Sequence, residues 1–261
     1  MLEKLMRLLF FCPLRDLTEA ELKKLTDFAG KGGSFLFACD YSDPLERMPN
    51  YSALLRSYGF LPRDGIVIAD AEDPNSYYNG NQVWLLPAMC PTDLTMDLIA
   101  SGASHTLFPG ARAFEEPGEG DRNLMTSVVL RSGETSYLKA LTEETTTMER
   151  AEGEPQGAFP LALEARRVTS DGYISRAFII GCGAALADSQ LYSMTDSQQL
   201  TIRVLEFLLR LDATDLKIMA REAVRPSLGT ASTNLGSVLL VALPLSVLFA
   251  ALLVLGPRKD R

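Results

Sequence analysis

The chain has 261 residues, 47% of them hydrophobic, which is enough to bury a substantial core and to hold one large domain or two small ones. Lysine and arginine number 25 against 33 aspartates and glutamates, for a formal net charge of -8. That balance excludes a nonspecific nucleic-acid binder, which needs a track of cations along the phosphates.

The opening MLEKLMRLLFFCP has a short apolar run, an acidic Glu3 where a signal peptide would be basic, and no small-residue cleavage site, so a first strand starting near Leu8 is predicted instead. LTEAELKKLTDFAGKGG follows as a helix. Thr18 at the N-cap and Glu21 three residues on form a capping box, and Leu17 can pack on Leu22 as a staple. Leu22, Leu25 and Phe28 recur at helical spacing. The GKGG at residues 30–33 looks like a phosphate cradle but stands in the wrong order, because it closes a helix and opens a strand. A phosphate loop follows a strand and opens a helix, whose free N–H groups face the anion. Gly30 or Gly32 therefore reads as a left-handed helix cap.

SFLFACDY is a nearly continuous apolar run, as expected of a strand covered on both faces. A short helix around NYSALLRSYG and a third strand, GIVIAD, complete a strand–helix–strand–helix–strand pattern over residues 7–70. The segment around 71–157 is irregular, with strand candidates in QVWLLPAMCP and LMTSVVLRS and a short helix in TDLTMDLIASG. AFPLALEARRV and RAFIIG read as further strands, and TDSQQLTIRVLEFLLRL as a helix with Thr195 and Gln198 as a second capping box.

From Pro226 to Pro257 there is no Asp, Glu, Lys or Arg, whereas residues 1–225 hold 22 basic and 32 acidic residues. Within the uncharged stretch, LGSVLLVALPLSVLFAALLVLG at 235–256 would span about 33 Å as a helix, close to the thickness of a bilayer core. Arg258, Lys259 and Arg261 directly after it point to a cytosolic C-terminus. The predicted fold is thus an α/β body, a mostly parallel-sheet three-layer domain, followed by a single C-terminal transmembrane helix. The body occupies 1–211, a juxtamembrane connector 212–234, the membrane helix 235–256 and a basic tail 257–261.

Candidate chemistry is sparse. Gly181, Cys182 and Gly183 follow the strand RAFII at the carboxyl edge, where open α/β sheets bind ligands, and Asp188 lies just beyond, so these four read either as a ligand or partner loop or as a tight loop holding an edge helix. Cys12, Cys39, Cys90 and Cys182 lack metal-binding spacing, and a nucleophilic cysteine needs a base, for which the one histidine is His105. Asp40, Asp43, Asp70, Asp73 and Asp121 sit at strand ends or in loops, where carboxylates commonly cap backbone N–H groups. No catalytic, cofactor-binding or metal-binding residue is assigned.

CPLRDLTEAELKKLTDFAGKGGSFLFACD, MPNYSALLRSYGFLPRDGIVIAD, HTLFPGARAF, FPLALEARRV with SRAFIIG, QQLTIRVLEFLLRLD and the terminal apolar segment occur in an order that resembles the auxiliary component of an uncharacterised ABC-type transport system, the family that includes the gliding-motility auxiliary protein. The resemblance covers residues 8–256. It implies a non-catalytic, membrane-anchored accessory subunit on the cell membrane, with an extracytoplasmic body, working with an ABC permease and a separate ATPase and needing no cofactor. The chain departs from the family at Cys182 and Ala184, where members commonly carry acidic residues, and it starts near the first soluble strand where members commonly begin with a membrane helix, which implies either an N-terminal truncation or an export left unexplained. The alternatives are a tethered amidotransferase-like or hydrolase enzyme using Cys12, Cys39 and Gly181, and a purely structural interaction domain.

Overall fold

The computed structural model describes residues 8–11, 14–103, 106–118, 121–141, 147–186 and 196–210. The chain divides into two units, Met1–Leu216 and Lys217–Arg261, and the second lies wholly outside the described residues.

The first strand, β1 (Leu8–Phe11), leads to α1 (Glu19–Gly30). The helix starts where the capping box places it. Thr18 Oγ1 accepts from the Glu21 N–H at 3.2 Å, and Glu21 Oε2 accepts from the Thr18 N–H at 2.8 Å. It stops in a Schellman turn, in which the Gly32 N–H donates to Ala29 O at 2.9 Å and the Gly33 N–H to Phe28 O at 3.0 Å. Gly32 takes the left-handed conformation (φ +79°) that closes this turn, and a side chain at Gly33 would run into the Phe28 ring. GKGG is thus the hinge that turns α1 into β2 (Ser34–Ala38).

The remaining elements are α2 (Pro49–Arg56), β3 (Ile66–Ile68), β4 (Tyr77–Tyr78), β5 (Asn81–Leu85), β6 (Ala88–Met89), α3 (Met96–Ala100), β7 (Phe108–Pro109), β8 (Leu124–Arg131), β9 (Tyr137–Lys139), β10 (Pro160–Val168), β11 (Ile174–Ile180) and α4 (Ser197–Leu209). The main sheet runs β1-β2-β11-β10-β8-β6. β1 and β11 are parallel to β2, while β11-β10, β10-β8 and β8-β6 are antiparallel. Two smaller sheets, β3-β9 and β4-β5-β7, are antiparallel.

This corrects the predicted mostly parallel, Rossmann-like three-layer domain. The sheets are mixed, and GIVIAD does not extend the main one. β10 and β11 form a hairpin in register from Ala162↔Ile180 to Val168↔Ile174, and its second strand fills the edge of β2 that β3 would have taken. β3 instead pairs with β9, and its Val67 N–H donates to Ala111 O at 2.9 Å. Three apolar residues specify burial but not a partner.

Alternation along β2 splits the core. Phe35, Phe37 and Cys39 join Tyr51, Leu54 and Leu55 of α2 and Tyr58 and Phe60 beyond it on one face. Leu36 and Ala38 join Phe178 and Ile180 of β11 and Leu200, Val204 and Leu208 of α4 on the other. Each of the buried Leu, Ile, Val and Phe side chains contributes about 1.5–3 kcal/mol by leaving water. The N-cap of α4 is Asp196, whose side chain makes no capping hydrogen bond; Thr195, the predicted cap, lies outside the described residues.

The predicted single-pass membrane protein is also corrected. Among the described residues no helix is long and apolar enough to cross a membrane. The longest, α4, has 13 residues, about 20 Å against a hydrocarbon core of about 30 Å, and carries Arg203 and Glu206. Residues 235–256 lie outside the described residues.

Candidate functional site

Of the predicted loop, Gly181, Cys182 and Gly183 lie at the carboxyl ends of β11 and β2, while Asp188 lies outside the described residues. The space at this edge is taken up by the protein's own groups. The Gly183 N–H donates to Asp40 Oδ1 at 2.5 Å, and the Gly181 N–H to Leu161 O at 2.8 Å. The Arg112 carbonyl passes so close to Gly181 that a Cβ there would clash with it. Cys182 is buried, and burial pushes its thiol up to about 12. Its Sγ lies 3.8 Å from Pro109 O.

Sequence reasoning passed over Arg112, which organises this edge. Its guanidinium is 2% exposed and donates to the carbonyls of Asp40 (2.9 Å), Tyr41 (3.0 Å), Asp43 (2.7 Å) and Arg63 (3.2 Å). The Asp40 N–H donates to Asp43 Oδ2 at 2.7 Å, and the Asp43 N–H to Asp40 O at 3.1 Å. Burial raises the Asp43 carboxyl above its ordinary range, against the pull of the Asp40 N–H and Arg112.

Asp70 and Asp121 accept from the N–H groups of Glu72 and Asn123, as turn carboxylates do. Among the described residues no three His, Cys, Asp or Glu side chains gather as metal ligands would. Cys39 is buried and Cys90 half-buried; Cys12 and His105 lie outside the described residues.

A cavity of about 700 Å³ lies between α1, α2 and the β10–β11 turn. Its polar groups tie these elements together. Ser175 Oγ donates to Gly33 O and accepts from Tyr58 OH, each at 2.5 Å, and Arg167 donates to Ser57 O at 2.6 Å.

A more unusual arrangement lies on the α4 side of the sheet. Ala162, Glu164 and Arg166 alternate along one face of β10, and Arg176, Phe178 and Ile180 along the same face of β11. Phe178 and Ile180 meet α4 in the core, whereas Arg166 and Arg176 face each other as direct ladder partners. Like charges directly opposite in a sheet are destabilising. The pair is held by the Phe207 ring of α4, whose centre lies 5.3 Å from the Arg166 guanidinium carbon and 5.1 Å from that of Arg176.

Around them is a cavity of about 240 Å³ lined by Arg166, Arg176, Arg203 and Arg210 with Asp93, Asp97 and Glu206. Arg166 pairs with Asp93 at 3.0 Å, and Arg203 with Glu206 at 3.1 Å and Asp97 at 3.5 Å. Arg176 donates to Phe207 O at 2.6 Å, and Arg210 to Gly32 O at 2.9 Å and to Ile174 O. Four guanidiniums thus face three carboxylates in the lining, and Glu164 lies close enough to Arg166 and Arg176 to act as a fourth. The Nε atoms of Arg166 and Arg176 are buried without a hydrogen-bond partner. Burial lowers the Arg176 pKa, and the nearby charges of Arg210 and Arg166 lower it further.

Asp93 and Arg166 also line an adjoining cavity of about 420 Å³ that Glu164 faces. Glu164 is 5% exposed, and its Oε2 has no hydrogen-bond partner. Burial raises its carboxyl pKa, opposed by Arg166 and Arg176 and assisted by Asp93. None of these residues was singled out from sequence. The signal was present in ALEARRV, which places Glu164 and Arg166 at alternate positions on one face of a strand that begins apolar, and in the hairpin spacing that sets Arg166 opposite Arg176.

No family model matches the chain, and no curated protein matches it in sequence. Among solved structures, it is similar to the N-terminal domain of mmIFT52, at 15% identity and a TM-score of 0.53 over 79% of this chain and 80% of that one. It also aligns with a ThuA-like protein from Bacteroides uniformis ATCC 8492, at 13% identity and a TM-score of 0.40 over 80% of this chain and 71% of that one. The first likeness is one of fold, the second is too weak to argue from, and neither bears on ABC-type transport.

Proposed function

We propose that this chain is a non-catalytic accessory subunit that holds a protein partner in the charged groove between α3 and α4. The observation that carries this reading is the Arg166–Arg176 pair. A sheet face that could have continued as apolar core instead carries two opposed guanidiniums, a local conflict of the kind that marks functional surfaces. An anionic partner would relieve that repulsion. The β2–β11 edge, where an enzyme of α/β type would hold its substrate, is occupied by Asp40, Arg112 and the Gly181–Gly183 turn, which agrees with a binding role.

The resemblance in segment order nominates an ABC permease and a separate ATPase as the partners to test. The full chain, tagged and co-expressed with a permease and an ATPase, is expected to co-elute with them, and Arg176→Glu to lose them while keeping the parent unfolding midpoint. Elution of the parent chain alone in the presence of both would overturn the proposal.

A further inference from the structure

We infer that the groove recognises a single carboxylate, presented by an aspartate or glutamate side chain of the partner protein, with Arg166 and Arg176 as its clamp. This rests on the groove being a docking surface and adds the chemistry of what docks.

Size, charge and geometry agree. The groove's own volume of about 240 Å³ admits one side-chain group at the clamp, and the adjoining cavity of about 420 Å³ gives room for the rest of the partner segment. The lining sets four guanidiniums against three carboxylates, with Glu164 a fourth beside the clamp, so an entering carboxylate takes the place of Asp93 at Arg166. A phosphate, with a charge of about -1.5 to -2, would overshoot that balance beside Asp93, Asp97 and Glu206. The clamp has donors to spare: Arg166 meets Asp93 and Arg176 meets Phe207 O through Nη1 alone, the Nε–H groups are buried behind them, and each guanidinium offers its remaining terminal N–H groups in the plane that a carboxylate matches. Phe207 sets the orientation of both guanidiniums from one side.

Asp93 and Asp97 on the rim are exposed, with 80% and 76% of their side-chain surfaces open. They can swing away from Arg166 and Arg203 as the partner's acid enters, so that exchange of one carboxylate for another admits the partner without leaving a guanidinium unpaired.

The probe is acetyl-Gly-Glu-Gly-amide, with its Gln counterpart and inorganic phosphate as the comparison arms. Arginine Nε–H resonances of the full chain are followed by NMR. The Glu peptide is expected to shift the Arg166 and Arg176 signals saturably in the millimolar range, and the Gln peptide to bind at least about tenfold more weakly. Arg176→Gln should weaken the Glu peptide about tenfold, and Arg166→Lys, which keeps the charge and loses the fork, should weaken it several-fold. Equal binding of the Glu and Gln peptides, tighter binding of phosphate, or no shift at all would overturn the carboxylate assignment. Such a result, with partner loss in Arg176→Glu intact, would leave the docking surface standing; retention of partners by Arg176→Glu would remove the surface itself.

Discussion

Replacing Arg112 by methionine keeps most of the buried volume and removes the guanidinium donors that hold the Asp40–Asp43 turn and the Arg63 carbonyl at the β2–β11 edge. Four carbonyls lose their guanidinium partner, but unequally. Asp40 O still accepts from the Asp43 N–H at 3.1 Å, and Asp43 O from the Leu45 N–H at 2.9 Å. For the Tyr41 and Arg63 carbonyls, Arg112 is the donor the structure provides, at 3.0 and 3.2 Å. A fully buried group stripped of its bond costs about 1–3 kcal/mol; Tyr41 and Arg63 are half-buried, so the two together set an expected loss of about 1–3 kcal/mol. The ion pair with Asp64 at 3.5 Å adds little, since that carboxylate is 90% exposed. Urea unfolding of the full chain, followed by circular dichroism, measures the loss, and Arg112→Lys should fall between the parent and Arg112→Met. A second readout is independent of stability. Because Arg112 opposes the upward shift of the Asp43 carboxyl, that carboxyl should titrate higher still in Arg112→Met by carbon NMR. A loss below about 1 kcal/mol at unchanged m-value, with Asp43 unmoved, would refute the organising role given to Arg112.

Gly181→Ala should destabilise by about 3 kcal/mol or more in the same assay, because the added Cβ meets the Arg112 backbone with the Leu161 carbonyl also close by. Gly33→Ala should cost less, about 1–2 kcal/mol, since it meets the Phe28 ring, which can turn. Glu164 gives a pH-dependent contrast. Its folded pKa is raised above the unfolded value, chiefly by burial, so its contribution to stability is fully present below the ordinary glutamate range and is lost as pH rises through the folded pKa. Glu164→Gln should therefore be more stable than the parent at neutral pH, with the advantage vanishing at acid pH; an advantage independent of pH would contradict the assignment.

How much of this the sequence carried depended on how local each feature was. The capping box of Thr18 and Glu21 and the GKGG turn were legible because helix ends are decided by residues within a few positions of one another. The strands SFLFA and RAFIIG were legible as buried runs, but their neighbours were not. Continuous apolar character is shared by parallel central strands and by β11, whose other edge pairs antiparallel with β10. GIVIAD was misplaced for the same reason, since its burial was evident and the prior claim of β11 on β2 was not. The Gly181–Gly183 turn was legible as the end of a strand, yet what fills it, Arg112, comes from a segment some seventy residues upstream. The charged groove joins α3, β10, β11 and α4, and its pattern becomes visible only once the hairpin register is laid out.

The central claim is that the groove between α3 and α4 is where a partner docks, and site-specific photo-cross-linking in cells tests it most directly. A photoreactive residue at Asp97, exposed on the groove rim, is compared with one at Lys23, exposed on α1 across the sheet. The expected result is an adduct from position 97, identified by mass spectrometry as containing the permease or ATPase subunit, absent from position 23 and lost when Arg176→Glu is added. Adducts of those subunits from position 23 with none from position 97, or undiminished adducts in the Arg176→Glu background, would contradict it.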